Sequence, residues 1–198
     1  MPSRTPPPGA LQIIREEHSA LRAMLQSLLQ MLRRGPGDAP EQFFDVLRAM
    51  LFYIDEFPER QHHPKESDLL FPKLARSAPQ LLPVIQQLET DHMQGQQRVR
   101  ELQHLLLAWE LLGESRRQEF NDAAAAYVIF YLEHMKAEEQ QLLPVADRCL
   151  TEADRAELDA AFRANADPLR TQEGNPAYER LFSRIVLHAP APIGVGPA

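Results

Sequence analysis

Thiols are nearly missing from this chain: Cys149 is its one cysteine in 198 residues. A lone cysteine excludes an internal disulfide framework and a thiolate-rich metal site. Long apolar runs are missing too. None approaches the ~18 residues of a membrane-spanning helix, and the opening MPSRTPPPGA has no signal-peptide core. Positive charge is in deficit, with 21 Lys and Arg against 28 Asp and Glu, a formal charge of -7. That balance argues against non-specific binding to nucleic acid or to an anionic membrane. Strand-like alternation is also absent. The expectation is a soluble, cytoplasmic, all-α protein.

Helical patterns fill the space that remains. The first starts at Leu11 and repeats through Ile14, His18, Leu21, Leu25, Leu28 and Leu32, until RRGPGDAP (33–40) breaks it. A second runs from Gln42 to about Arg76 on Phe43, Leu47, Met50, Ile54, Leu69 and Leu70. Pro58 and Pro64 interrupt it and predict a kink or two helical pieces. The third, about 80–112, carries Ile85, Leu88, His92, Val99, Leu102, Leu106 and Trp109. The fourth, about 116–148, carries Phe120, Tyr127, Tyr131, His134, Glu138 and Leu142. Four long amphipathic helices with short connections predict an up-down-up-down four-helix bundle over 11–148. A C-terminal helical extension is expected over 149–188, with a capping-box pattern at Thr151 and Asp154 and a loop at Gly174 and Pro176. Residues 1–10 and 189–198 are expected to be unstructured tails.

Two stretches carry the chemistry, HHPKESDLLFP (62–72) and HMKAEEQQLLP (134–144). Each sets a histidine four residues before a glutamate, His62 with Glu66 and His134 with Glu138. On a helix this spacing lets both side chains converge, about 40° apart in direction and about 6 Å in height. His18 and His92 fall on the interior faces of the other two helices, so every helix aims an imidazole at the bundle axis. Singly, each has an ordinary explanation: a hydrogen-bonded core histidine, or a surface His/Glu pair. Together, four histidines and two glutamates would cost several kcal/mol per uncompensated buried charge unless a cation joined them.

Imidazole plus carboxylate without thiolate suits iron, manganese or zinc. Six side chains exceed one tetrahedral zinc. If Glu66 and Glu138 each bridge two ions, they supply four bonds, the histidines four more, and a shared bridge two. About two of the twelve positions of an octahedral pair then stay open for a small molecule.

His18, HHPKE, the Asp91–His92 pair and HMKAEE, with the LLFP and LLP that follow the glutamates, resemble the hemerythrin-like or HHE cation-binding domain. The similarity spans about 11–148. It implies a four-helix bundle around two non-haem iron ions, oxo- or hydroxo-bridged, with His18, His62, Glu66, His92, His134 and Glu138 as ligands. It also implies binding or sensing of dioxygen or nitric oxide, or a part in iron and redox homeostasis. Zinc and manganese suit the same donors, and a homodimer is compatible with the chain. In oxygen carriers of this family a further histidine follows the third-helix ligand by four residues. Here that position is Gln96, which weighs against reversible oxygen carriage.

His63 is expected to point about 100° away from His62, toward solvent or behind the ligands, unless the break at Pro64 swaps the two. Tyr127 and Tyr131 share a face with His134 and are expected to serve packing. Asp91, Glu133 and Glu139 are expected outside the ligand set, and His104 and His188 carry no role. Three other readings use the same residues. One is a di-iron oxidase, peroxidase or iron-repair enzyme. Another is a ferritin-like carboxylate protein with Glu-x-x-His motifs at Glu59–His62 and Glu89–His92. The last is a helical module that binds zinc structurally, or nothing.

Overall fold

The computed structural model describes residues 8–164 and 178–196, all helix and connection with no strand among them. The loop expected at Gly174 and Pro176 lies outside the described residues, as do positions 1–7 and 197–198 of the expected tails. Four rods make the bundle. The first is α1 (Ala10–Arg34). The second begins as α2 (Pro40–Ile54) and continues through α3 (His63–Lys65) to α4 (Phe71–Ser77). The third is α5 (Leu82–Leu112). The fourth joins α6 (Arg117–Ala137) to α7 (Leu143–Cys149). Gly35 and Gly113 close α1 and α5 with φ of 73° and 85°, a region that residues with a Cβ rarely enter.

Contacts at the two ends fix the directions. At one end, His18, early in α1, meets Glu138 at the end of α6, while His92, early in α5, meets Glu66 late in the second rod. At the other end, Trp109, late in α5, packs its ring edge-on against Phe43 and Phe44 at the start of α2. It also meets Phe120 near the start of α6. Successive rods therefore alternate, and the expected up-down-up-down bundle is what forms.

Rods two and four are not regular helices. Three segments widen into π-turns: π1 (Asp55–His62), π2 (Glu66–Leu70) and π3 (Glu138–Leu142). The residue after each donates its N–H five positions back: His63 to Pro58, Phe71 to Glu66 and Leu143 to Glu138. Proline explains the placement. Its ring collides with the carbonyl four residues earlier and it has no N–H to donate. For Pro64, Pro72 and Pro144 those carbonyls belong to Arg60, Asp68 and Gln140, one in each π-turn. The kink expected at Pro58 and Pro64 is thus a local widening, and the rod continues through it.

The core comes in two apolar blocks. One fills the middle and far end of the bundle, around Leu25, Leu28, Leu47, Met50, Val99, Trp109 and Phe120. The other fills the near end, around Ile14, Leu70, Phe71, Leu88, Leu142 and Phe162. The buried histidines and glutamates lie between the two blocks as a polar slab.

Two further helices pack outside. In α8 (Glu152–Arg163), Thr151 accepts from the Asp154 amide at 3.1 Å while Asp154 accepts from the Thr151 amide at 3.2 Å, the expected capping box. This helix covers the near end, with Lys73 bonded to Glu157 at 2.8 Å and Phe162 edge-on to His62 at 5.7 Å. Helix α9 (Glu179–His188) runs antiparallel to α2, with Tyr178 against Phe57 and His188 beside Gln42. The stretch 189–196 is not the free tail expected. Ala189 is fully buried, and buried Ser27 donates to the Pro190 carbonyl at 2.7 Å and accepts from the Ile193 amide at 3.1 Å. Ala10, expected at the end of an N-terminal tail, opens α1 and is buried.

Trp109→Ala is expected to cost about 3–5 kcal/mol by the scale of large-to-small core substitutions, measured by urea unfolding. Thr151→Ala should cost about 1 kcal/mol through the lost cap alone.

Candidate metal centre

Seven side chains converge in the slab. His18 comes from α1, His62, His63 and Glu66 from the second rod, His92 from α5, and His134 and Glu138 from the fourth. All are buried, and Glu66 and Glu138 are wholly inaccessible. They form two groups. His18, His62, Glu66 and Glu138 can each place a donor atom within 4.8 Å of the others, and so can His63, Glu66, His92 and His134.

The glutamates stand between the groups. Glu66 turns Oε1 toward His62 Nε2 at 3.1 Å and Oε2 toward His92 Nε2 at 3.4 Å. Glu138 turns Oε2 toward His18 Nε2 at 3.1 Å and Oε1 toward His134 Nε2 at 3.5 Å. Each carboxylate thus offers one oxygen to each group.

The outward nitrogens are engaged as well. His62 Nδ1 meets Glu17 at 2.6 Å, His18 Nδ1 meets Glu139 at 3.0 Å, and His63 Nδ1 meets Glu59 at 3.2 Å. His134 Nδ1 faces Asp91 at 3.5 Å. For His92 the tautomer follows from the partners. Ser67 gives its single hydroxyl hydrogen to Glu89 at 2.9 Å, so it can only accept from His92 Nδ1 at 3.0 Å. The proton of His92 is therefore on Nδ1, and the Nε2 lone pair faces the cluster. Outer partners of this kind orient histidines that ligate metal.

The electrostatics of the cluster set burial against neighbouring charge. Burial pushes the His62 imidazole down, but Glu66 and Glu17 outweigh it and hold it well above its ordinary value. Burial pulls His18 the same way, and Glu138 and Glu139 reverse it. Burial would raise the Glu66 carboxyl, yet His62 and His92 hold it well below the usual range. Glu139 is held down to about 2, chiefly by its bond to His18 and also by Arg22. His63 is the exception: burial, then the neighbouring His92 and His134, push it well down against the opposing pull of Glu66. Two inaccessible carboxylates thus stand where positive charge is favoured.

Hydrogen bonding inside the slab is left unfinished. Both oxygens of Glu66, both oxygens of Glu138, and Nε2 of His62, His92 and His134 are buried without a hydrogen-bond partner. Seven inward-facing orphaned atoms in one layer would carry a heavy desolvation cost. Cations coordinated by those atoms remove it, so the residues present fit a metal centre.

Comparison with protein families agrees. The model of the hemerythrin HHE cation binding domain matches residues 9–146. The chain belongs to that family. A comparison with curated proteins finds no match. As an HHE domain it is an all-α bundle with a His/Glu cluster able to hold metal, and helices α8 and α9 lie beyond the matched region. Among the described residues no helix is long and apolar enough to cross a membrane.

All six candidate residues lie in the cluster, and one more joins them. His63 is 4% exposed, stacks on His92 at 4.1 Å, and completes the second group. The expectation that it would point away assumed a regular helical turn; π1 ends at His62 and resets the register, so adjacent histidines enter opposite groups. Proline at 58 and 64 was the signal in the sequence. Gln96 is half-buried in α5, and the fifth imidazole comes from the second rod. The ferritin-like spacing does not organise the site, because Glu59 pairs with His63, Glu89 holds Ser67, and His104 is exposed. Tyr127 and Tyr131 are buried as expected, and their hydroxyls both bond Glu59.

Glu138→Ala and His134→Ala are expected to keep the helical circular dichroism of the parent while losing at least half of its bound divalent metal by elemental analysis. Metal should be retained at alkaline pH and lost on acidification, first from the half that holds His18 and His62, whose imidazoles sit above their ordinary value, since protons compete for the same nitrogens. Equilibrium dialysis at a series of pH values measures it.

Proposed function

We propose that this HHE domain holds two iron ions and binds a small neutral diatomic molecule, dioxygen or nitric oxide, at one of them. The observation that carries the proposal is an imbalance between the two groups, with a cavity on the poorer side. Three imidazoles and two carboxylate oxygens face one group, two imidazoles and two carboxylate oxygens the other. Nine side-chain donors and one shared bridging ligand fill eleven of the twelve positions of two octahedral ions. The vacant position then belongs to the ion held by His18 and His62, which is one fewer than the count without His63.

The cavity touches His18, His62 and His63; Leu21, Tyr53, Phe57, Pro58 and Met135 wall it, and Glu17 and Gln61 add polar groups to its lining. Its open space of about 20 Å³ suits one water-sized molecule. Aliphatic and aromatic walls with Glu17 as the one carboxylate favour a small uncharged ligand over an anion. A bound iron pair supplies the electrons that such a ligand takes up on binding. The protein's own part is to hold the donors, keep Nδ1 protons turned outward, and exclude bulk water. A fifth histidine removes the argument against reversible oxygen carriage drawn from Gln96.

Anaerobic reconstitution is expected to give two irons per chain, with a near-ultraviolet and visible charge-transfer spectrum that changes on admitting dioxygen or nitric oxide. Fewer than about one iron per chain would end the di-iron proposal. Stoichiometric uptake marks a carrier or sensor, and catalytic consumption of the ligand would place the protein among enzymes instead. Leu21→Trp, which fills the cavity, should slow ligand uptake without changing iron content, as followed by stopped-flow absorbance.

A further inference from the structure

Beside the slab lies a buried polar cluster that metal binding alone does not explain. Glu59 is 4% exposed, and both of its oxygens are engaged. Oε2 faces His63 Nδ1 at 3.2 Å, while Oε1 accepts from the hydroxyls of Tyr131 and Tyr127, the latter at 3.3 Å. Burial raises the Glu59 carboxyl to about 7 against the opposing pull of the two hydroxyls. The backbone makes room for the cluster. A Cβ on Gly95, in α5, would overlap the Tyr131 hydroxyl and come within 3.0 Å of Glu59 Oε1.

Packing alone would be served by phenylalanine at 127 and 131 and by an apolar residue at 59. The chain instead buries two hydroxyls and a carboxylate and gives up a side chain at 95. The choices at 95, 127 and 131 converge on the Glu59 carboxylate, and Glu59 faces one imidazole, His63. His63 is also the histidine of its group that neither a regular helix nor the usual third-rod position would supply. Its ring is gripped on its faces, stacked on His92 at 4.1 Å and on Tyr131 at 5.8 Å. The remaining freedom is which nitrogen carries the hydrogen, and a carboxylate at Nδ1 settles that.

We propose that Glu59, held by Tyr131 and Tyr127 in the space left by Gly95, is the positioning residue that commits His63 to the metal centre. By accepting the Nδ1 hydrogen it leaves the Nε2 lone pair for the ion shared with His92 and His134. The inference rests on the two-ion site proposed above and adds the means by which its fifth histidine is recruited. Glu59 itself touches no ion in this scheme.

The test reads the imidazole directly. In metal-free protein with ¹⁵N-labelled histidine, long-range ¹H–¹⁵N spectra should show His63 as the Nδ1–H tautomer, and Glu59→Ala should shift it to Nε2–H or to a mixture. Titration with Co²⁺ should show two ions in the parent. In Glu59→Ala the second should bind roughly 10- to 100-fold more weakly, the range for loss of an outer partner, with the first unchanged. Glu59→Gln, whose amide oxygen can still accept from Nδ1, should restore most of the loss. Tyr131→Phe, which keeps the ring and frees one bond to Glu59, should give a smaller loss and decides the matter if Glu59→Ala does not fold. An unchanged His63 tautomer with two ions bound at parental affinity, in Glu59→Ala or in Tyr131→Phe, would overturn the proposal. So would equal weakening of both ions in a folded variant. Failure of the parent to bind two ions would instead refute the two-ion site, and the metal-free spectra would still report whether Glu59 sets the tautomer.

Discussion

Two carboxylates with no access to water set the terms for everything else. Taking Glu66 and Glu138 out of solvent costs several kcal/mol each unless positive charge comes with them. The structure answers with five imidazoles around four oxygens, and those imidazoles in turn need orientation from Glu17, Glu59, Ser67, Asp91 and Glu139. The polar slab is consequently several residues deep in every direction. A layer of that size can sit inside a bundle only if apolar blocks on both sides hold the rods together, and that is how the core is divided.

The balance among these groups also explains why the two halves of the slab differ. In one half the inner carboxylates Glu66 and Glu138, backed by Glu17 and Glu139 at the outer edge, hold His62 and His18 above the ordinary imidazole range. The other half crowds three imidazoles together, and His63 there resists protonation.

Much of this was legible in the sequence, and for identifiable reasons. Apolar spacing marked the four rods, because a buried stripe on each helix is what holds a bundle together. The i,i+4 pairs His62–Glu66 and His134–Glu138 were legible because both ends of each pair must reach one point. For His63 two placements stayed open, outward on a regular turn of 100° per residue or inward if the break at Pro64 swapped the pair, and the widened backbone takes it inward. Glu59 and Gly95 left no local signal. Their meaning comes from Tyr131, on a rod about seventy positions away from Glu59, and only three-dimensional proximity joins them. The segment after Ala189 misled by composition: APAPIGVG reads as free chain, yet Ser27 offers it both a donor and an acceptor.

The widened turns bear on how such a protein is assembled. Each is imposed by a proline already present in the nascent chain, so the irregular register of rods two and four is built in by covalent structure. The apolar blocks on either side can then close around a register that needs no ligand to set it. In small zinc domains, by contrast, the chain stays unfolded until the ion arrives and the ion itself sets the local geometry.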